Sequence, residues 1–277
     1  MFRSIARLGG LLLGIGLLHA PPARTQTRDM VLATTTSTQD SGLLDSLLPL
    51  FRAGSGIEVK VIAVGSGAAL AMARTGDADA VLVHAPEAER PYVASGDLVE
   101  GRRIMHNDFL IVGPSADPAG AGGARDLASA MRKIAAAGPF ISRGDGSGTE
   151  KKELELWNAA GVEPAKVRRR EETGQGMGAT LLVASEHRGY TLTDRGTYLA
   201  LRERLDLIPL VEGYPNLLNV YHAYVVNPAK HRKVKPGEAR ALVAFLASEP
   251  AQAMIGSFGE SRFGQPLFFP DAGKGLP

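Results

Sequence analysis

Short apolar stretches alternate with longer amphipathic stretches along most of the chain. The amphipathic stretches repeat apolar residues every three or four positions, as in the series Leu43, Leu44, Leu47, Leu48 and Phe51. Strands are predicted at Met30 to Ala33, Val59 to Val64, Ala80 to Val83, Phe109 to Val112, Phe140 to Ser142, Tyr190 to Leu192, Leu207 to Val211 and Tyr221 to Val226. This alternation of strands and helices predicts an α/β protein.

Two stretches indicate where the chain passes between lobes. At 277 residues the chain is long enough for two modest lobes, each with its own apolar core. Gly113 to Gly123 is rich in Pro, Ala and Gly and is interpreted as the first crossover segment, and Asn216 to Val226 as the return. The predicted division is residues 1–26 as a signal peptide, 27–112 as the first part of lobe 1, 113–221 as lobe 2, and 222–277 as the second part of lobe 1.

The first residues have the pattern of a cleaved secretory signal peptide. Arg3 and Arg7 precede an apolar run from Leu8 to Leu18, and small residues follow it. The run is shorter than the roughly 20 residues that span a bilayer. Cleavage is expected between Ala20 and Gln26. Because the chain has no cysteine, it has no lipid-carrying residue, no disulfide and no thiolate metal site. We therefore expect an exported, freely diffusing periplasmic protein and not a lipoprotein.

Charge gives no support to nucleic-acid binding. Removal of residues 1–23 takes away Arg3 and Arg7 and no acidic residue, so the 31 basic residues become 29, against 29 acidic ones. A chain with balanced charge lacks the broad basic surface that phosphate backbones require. Any anion site must therefore be local.

Four predicted strand-to-helix junctions share one chemistry. Each carries glycines or hydroxyl side chains immediately before a helix, at Thr34 to Ser37, Gly65 to Gly67, Arg143 to Thr149 and Thr173 to Gly178. Helix N-termini offer unpaired N–H groups and about half a positive charge, which suits an anion. Ordinary N-capping explains any one of them equally well, and Ser147 with Glu150 forms a capping box. Four of them in one α/β chain favour a shared site.

Single residues near these junctions have two interpretations each. The Arg143 guanidinium could grip an oxyanion at two points or form an ion pair with Asp145. His84 could line the cleft or be a satisfied histidine at a strand end. Asp145 and Asp194 are interpreted as helix caps or as partners of neighbouring arginines.

Enzyme motifs are incomplete. Gly174, Gly176 and Ala179 fit the loose dinucleotide pattern, but the preceding Val167 to Glu172 is too charged for the buried strand which that pattern needs. A phosphate-binding loop, a nucleophile elbow around Ser147 and paired metal-binding histidines are all missing from the sequence. We expect a protein that is not an enzyme and has no cofactor.

The same residues resemble a known family, the periplasmic tungstate-binding proteins of tungstate ABC transporters. The matching stretches follow one another along nearly the whole mature chain, at Leu32 to Leu44, Val64 to Gly67, Leu82 to Glu89, Asn107 to Phe109, Ser142 to Asp145, Glu172 to Thr180 and Tyr190 to Thr197. The resemblance implies a type II periplasmic-binding-protein fold, with two Rossmann-like lobes joined by two crossover segments. It also implies an oxyanion in the cleft and, as partners, a membrane permease with its cytoplasmic ATPase.

The resemblance further implies the ligand contacts. They are Thr35, Thr36, Ser37, Ser66, Arg143, Ser147, Thr149, Thr173, Gly174, Gln175, Gly176 and Met177. The family commonly has a threonine at the position of Ser66 and an aspartate at that of Gly146, so the affinity is expected to be retuned.

The expected ligand is tungstate or molybdate. Both are unprotonated at neutral pH, so the ideal site contains donors only. A phosphate- or sulfate-binding protein of the same fold is the nearest alternative, and a carboxylate acceptor in the site would favour phosphate. A periplasmic hydrolase that uses Ser147 is a third. The protein is expected to act as a monomer.

Overall fold

A computed structural model describes residues 28–275, and the predicted signal peptide lies outside them. The strands are β1 Arg28–Thr35, β2 Ile57–Val64, β3 Ala80–Val83, β4 Leu98–Pro114, β5 Phe140–Ser142, β6 Arg170–Glu172, β7 Thr191–Asp194, β8 Leu207–Val211, β9 Leu218–Val226 and β10 Phe269–Pro270. The α-helices are α1 Thr36–Asp40, α2 Leu43–Ser55, α3 Ser66–Thr75, α4 Pro86–Ala94, α5 Leu127–Ala137, α6 Gly148–Ala159, α7 Met177–Glu186, α8 Arg195–Leu201, α9 Pro236–Leu246, α10 Glu249–Ser257 and α11 Glu260–Phe263.

A mixed sheet runs through the molecule. Its strand order is β10-β4-β9-β3-β1-β2, with β1 parallel to both β2 and β3, and β9 antiparallel to β3 and β4. Strands β7 and β8 pair with the far end of β4, and β5 and β6 form a small parallel sheet. Helices follow most strands, so the predicted α/β class is confirmed.

Strand β4 carries the chain from one group of strands to the other. Its segment 98–108 pairs with β9, and its segment 109–114 pairs with β7 and β8. The passage therefore lies inside a continuous strand, between Asp108 and Phe109. The stretch Gly113 to Gly123, interpreted above as the crossover, begins in this strand and continues into turns. The return lies between β8 and β9, and the division into two lobes stays a prediction.

The apolar cores follow this organisation in part. One buried cluster is drawn entirely from residues 109–217 and is centred on Phe140, Trp157 and Tyr190. A second, which includes Leu32, Leu44 and residues of α9, also takes in Ile141 and Leu181. Apolar packing therefore continues across the passages as well as within each group of strands.

The hydrophobic pattern of the sequence did not predict two short strands, β6 and β10. Strand β6 is highly charged and only partly buried, and it pairs in parallel with β5. The stretch Val167 to Glu172 was expected to be too charged for a buried strand, and its last three residues form this partly buried one. Strand β10 is two residues long and pairs with β4.

Within residues 28–275, no single helix is long and apolar enough to cross a membrane. Two helical segments, Pro236–Leu246 and Glu249–Phe263, meet the length and composition requirement only as a pair bent by 54°. The apolar faces of α9 and α10 contribute Leu242, Leu246 and Ile255 to the core, which accounts for their hydrophobicity.

One arginine joins both passages. Arg195, the first residue of α8, donates from Nε to Asp108 Oδ1 at 2.7 Å and from Nη2 to Asp108 Oδ2 at 2.6 Å. Its Nη2 also donates to Glu212 Oε2 at 2.7 Å, just after β8. The hydrogen bonds that Arg195 donates to Asp108 raise the pKa of Arg195 despite its burial. The ion pair therefore fixes α8 against the two segments where the chain changes sides.

Removal of this arginine is expected to destabilise the fold. Arg195→Met would leave the Asp108 side chain, 12% exposed, without its cationic partner, which we expect to lower the free energy of unfolding by roughly 2 kcal/mol. Urea denaturation measures this loss. Arg90→Met is the matched control, because Arg90 and Glu87 form an exposed pair and should contribute little. Equal stability of the two variants would contradict the role of Arg195.

Candidate functional site

A cavity of about 860 Å³ opens between the two groups of strands. One side is formed by α1, which follows β1, by His84 after β3 and by residues of β4 and β9, the other by the N-terminal ends of α6, α7 and α8. Residues between Met254 and Phe268 complete the wall. Its polar lining residues include Thr36, Ser37, Asp40, His84, Asn107, Arg143, Thr149, Asp194, Thr197, Asn219, Tyr221 and Arg262. A Cβ built on Gly148 would lie 3.7 Å from His84 Cε1, so α6 begins directly opposite the end of β3.

Half of the predicted ligand residues line this cavity. They are Thr36, Ser37, Arg143, Thr149, Gly176 and Met177. The other six, among the residues that the structure describes, are not on its wall: Thr35, Ser66, Ser147, Thr173, Gly174 and Gln175. The structure therefore brings three of the four predicted junctions together, from both groups of strands. Ser66 is buried at the start of α3, beyond the wall.

The junction after β1 is held by hydroxyl groups. Thr34 Oγ1 donates to the Leu82 carbonyl at 2.8 Å, which fixes the end of β1 against β3. Thr35 caps α1, because its Oγ1 accepts from the Thr38 N–H at 3.2 Å. Ser37 is exposed on the wall. Within this run of hydroxyl residues, Thr35 caps the helix and Ser37 lines the cavity.

Arg143 lines the cavity and also forms the predicted ion pair. Its Nη2 lies 2.5 Å from Asp145 Oδ2, and its Nη1 lies 3.5 Å from Thr149 Oγ1. Burial disfavours ionisation of Asp145, but hydrogen bonding from Ser147 and the charge of Arg143 hold the pKa of Asp145 below its ordinary value. The Arg143 Nε is buried without a hydrogen-bond partner in the described chain. A buried donor left in this way costs about 1–3 kcal/mol, which an acceptor entering the cavity could offset.

The start of α6 is capped by its own side chains. Ser147 Oγ accepts from the Glu150 N–H at 3.3 Å, and the Glu150 carboxylate accepts from the Gly146 N–H. The bond to Ser147 Oγ is the first half of the predicted capping box, but the carboxylate bonds one residue before the N-cap, and the Ser147 N–H donates to Asp145 Oδ1 at 3.1 Å. Because a carboxylate already lies at this N-terminus, Arg143 and Thr149 are the groups of this junction that face the cavity.

The loop before α7 is anchored to the loop after β5. The Thr173 N–H donates to the Ser142 carbonyl at 3.0 Å, and the Gly174 N–H donates to the Arg143 carbonyl at 2.8 Å. Those two amides therefore donate to backbone carbonyls of the protein itself. Helix α7 begins after Gly176 without a side-chain cap, and Gly176 and Met177 face the cavity. Its first amides are the backbone donors on this side.

Gly144 holds these two loops together. Its φ is +61°, and a Cβ there would lie 2.7 Å from Glu172 Cβ. Gly144→Ala is expected to lower the free energy of unfolding by roughly 1–2 kcal/mol, because it adds a contact to an unfavourable backbone conformation. Thermal and urea unfolding measure this. Gly146→Ala is the control, because Gly146 has a similar φ of +72° but open space around it. A loss no larger than that of Gly146→Ala would contradict the contact argument.

Four wall residues that sequence reasoning did not assign to the ligand form one network. His84 was given two interpretations, and the structure realises both: it lines the cavity and is hydrogen-bonded at each ring nitrogen. Asn107, Asn219 and Tyr221 lie on β4 and β9, and Asn219 Nδ2 donates to Asn107 Oδ1 at 2.7 Å. Burial lowers the pKa of His84 and raises that of Tyr221. Only the position of His84 at a strand end was visible in the sequence.

The wall also contains carboxylates, where a donors-only site was expected. Asp194 caps α8 and accepts from the Thr197 N–H at 2.8 Å and from Thr197 Oγ1 at 2.8 and 2.9 Å. Asp40 lies at the end of α1. Residues 28–275 contain no cluster of three or more histidine or acidic side chains that could hold a metal ion. The hydroxyl donors and the two arginines of the wall, Arg143 and Arg262, suit an anion better than a cation.

The sequence and the fold are similar to those of known proteins. A family model described as a PBP superfamily domain matches residues 20–250. Over 255 residues the chain is 46% identical to a tungstate-binding protein TupA of Peptoclostridium acidaminophilum, covering 91% of this chain and 89% of that protein. The solved tungstate-binding protein TupA from Desulfovibrio alaskensis G20 is 45% identical, with a TM-score of 0.81, and the match covers 88% of this chain and 99% of that one. A tungstate ABC transporter structure from Geobacter sulfurreducens gives 46% identity and a TM-score of 0.73, over 83% and 98% of the two chains.

Proposed function

Because this chain belongs to the PBP superfamily and, within it, to the TupA-like tungstate-binding proteins, we propose that it binds tungstate in the cavity between its two groups of strands. It would be exported to the periplasm and would deliver the anion to a membrane permease driven by a cytoplasmic ATPase. It would carry no cofactor and catalyse no reaction.

The convergence of donors from both sides of the cavity is the observation that supports this proposal. Ser37 and Thr36 face it from one side, and Arg143, Thr149 and the start of α7 face it from the other. Each hydrogen bond to a charged group contributes about 1.5–3 kcal/mol. An oxyanion with four oxygens could accept from both sides at once.

Binding of this kind would draw the two sides together. An ion that bridges them favours a closed arrangement, and the passages inside β4 and between β8 and β9 are where the chain could bend. Closure would replace water around the ion with fixed donors and would give the permease a shape to recognise.

Phosphate is the second candidate, because of Asp194. Phosphate keeps a proton near neutral pH, and a wall carboxylate could accept it. Both Asp194 oxygens already accept from Thr197, which makes this carboxylate first of all a helix cap. The unprotonated tungstate ion fits the remaining donors better.

Hydrolysis by Ser147 finds less support. Among the described residues the Ser147 hydroxyl has no histidine partner that could act as a base, and its oxygen caps α6.

Calorimetric titration of the purified protein without residues 1–26 tests the proposal. Tungstate, molybdate, sulfate and phosphate are titrated separately at neutral pH. We expect tungstate to bind tightest, with molybdate nearest to it. Tightest binding of phosphate would reject the assignment in favour of the second candidate, and the absence of binding by any of the four would reject an oxyanion site altogether.

A further inference from the structure

His84 connects the hydroxyl groups of the junction after β1 to β9, one of the strands next to the passages between the two groups of strands. Its Nε2 lies 3.0 Å from Thr35 Oγ1 and 3.3 Å from Ser37 Oγ, and its Nδ1 lies 2.9 Å from Asn219 Oδ1. The ring packs against that of Tyr221, with centroids 4.6 Å apart. A histidine held at both nitrogens and on its face has a fixed orientation.

Asn219 determines which nitrogen of His84 carries the proton. The Asn219 amide nitrogen donates to Asn107 Oδ1 at 2.7 Å and lies 3.3 Å from the Tyr221 hydroxyl, so its carbonyl oxygen faces His84. A carbonyl oxygen only accepts, which places the proton on His84 Nδ1. Burial lowers the pKa of His84, so the ring is neutral at neutral pH and Nε2 is an acceptor.

Proton counting then fixes the neighbouring hydroxyls. The Thr35 hydroxyl has one proton and two lone pairs. It accepts from the Thr38 N–H at 3.2 Å and lies 2.6 Å from Thr38 Oγ1. Thr35 is nearer to His84 Nε2 than Ser37 is, at 3.0 Å against 3.3 Å, and we therefore assign Thr35 as the donor to that nitrogen. Thr38 must then be the donor in the 2.6 Å contact, and both lone pairs of Thr35 are occupied.

Ser37 is left with an unused proton. Its oxygen lies 3.1 Å from Thr35 Oγ1 and 3.3 Å from His84 Nε2, and the acceptor capacity of both atoms is already taken. The Ser37 side chain is exposed on the cavity wall. Its O–H is therefore free to point into the cavity.

We propose that His84 is a positioning residue of the oxyanion site: it holds the Thr35 hydroxyl at Nε2, so that the Ser37 hydroxyl donates to the bound ion. This inference rests on the proposed function for the identity of the ion, but the arrangement of protons exists without it. The residues of the network come from the ends of β1 and β3 and from β4 and β9. The Ser37 hydroxyl, which His84 orients, is therefore connected to β4 and β9, the strands at the two passages between the groups of strands.

The tautomer of His84 is a direct readout that does not depend on a ligand. Long-range ¹H–¹⁵N correlation on the ¹⁵N-labelled protein at neutral pH separates the two ring nitrogens, with the His84 signals assigned by their loss in His84→Phe. We expect a protonated Nδ1 and an unprotonated Nε2. A proton on Nε2, in the neutral ring or in the imidazolium, would overturn the proposal.

A double-mutant cycle tests the action through Ser37. Ser37→Ala and His84→Phe are each expected to weaken tungstate binding by about tenfold, because each removes the same charged hydrogen bond. The double variant should bind about as well as Ser37→Ala alone. His84→Gln offers an amide oxygen to Thr35 and an amide N–H to Asn219, and should recover part of the affinity.

Two results of the cycle would overturn the inference. If the double variant loses affinity by the product of the two single losses, His84 acts independently of Ser37. If His84→Phe binds tungstate with wild-type affinity, His84 has no effect on the site. Failure of the wild-type protein to bind tungstate would reject the proposed function, and the tautomer measured without ligand would still decide the assignment of His84.

Discussion

Replacement of Arg143 by alanine should weaken tungstate binding by about ten- to a hundredfold. The guanidinium lies on the cavity wall with its Nη2 on Asp145, and its Nε is buried without a partner in the described chain. An oxyanion that enters the cavity can accept from the part of the guanidinium that lies on the wall. The variant loses that bond and the only basic side chain which the loops after β5 and β6 place on the wall. Calorimetry with tungstate measures the change.

Two further variants separate the geometry of Arg143 from its charge. Arg143→Lys keeps the charge without the planar fork, and its affinity should fall between those of the wild type and the alanine variant. Arg240→Ala is the matched control, because Arg240 pairs with Glu100 in a separate groove. We expect it to bind tungstate like the wild type. An alanine variant at position 143 with unchanged affinity would remove Arg143 from the site.

Replacement of Glu153 by alanine should lower the free energy of unfolding by about 3–5 kcal/mol. The Glu153 carboxylate is almost fully buried and accepts from Ser142 Oγ at 2.5 Å, Trp157 Nε1 at 3.1 Å and Arg170 Nε at 3.0 Å. Its removal leaves the buried Ser142 hydroxyl and Trp157 Nε1 without this acceptor and takes one of two acidic partners from the partly buried Arg170, which keeps Glu172. Urea unfolding measures the loss.

The matched control is another glutamate of the same region. Glu163→Ala removes an exposed carboxylate paired with Lys166, and we expect a change of no more than about 0.5 kcal/mol. Glu153→Gln, which keeps the shape and one acceptor, should lie between the two. A Glu153→Ala variant as stable as Glu163→Ala would show that the buried carboxylate is not needed by the fold.

Local signals in the sequence were sufficient for most of the fold. The predicted strands at Ala80 to Val83, Phe140 to Ser142 and Leu207 to Val211 have the observed bounds, because each is an apolar run that ends abruptly at polar or glycine residues. Ser147 also caps α6 through the Glu150 N–H as predicted, since this bond depends only on residues three positions apart, whereas the Glu150 carboxylate bonds Gly146 instead of Ser147.

Features that depend on pairing between distant segments were not visible. The passage inside β4 lies between Asp108 and Phe109, and only the change of partner strand from β9 to β7 identifies it. Asn107 and Asn219 face each other because β4 and β9 pair in that register, 112 residues apart in the chain. No local pattern marks an asparagine for such a role.

The sequence indicated the kind of ligand that the candidate site suits, but not which residues face the cavity. Glycine and hydroxyl residues at the junctions indicated an anion, yet the wall receives Ser37 and Thr149 and not Ser66 or Thr173. Which hydroxyl faces the cavity depends on which one is used as a cap or a loop contact, and those partners are set by the fold. The ligand contacts of the individual residues stay predictions.

The location of the bound ion is the most direct test of the central claim, that one oxyanion is held by donors from both sides of the cavity. Tungsten scatters anomalously, so a crystal grown with tungstate gives the position of the metal centre without any assumption about the site. We expect a single strong peak in the cavity, with ligand oxygens about 2.7–3.2 Å from the Ser37 hydroxyl, the Arg143 guanidinium and the first amides of α7. A peak elsewhere, or oxygens that contact only one side of the cavity, would contradict it.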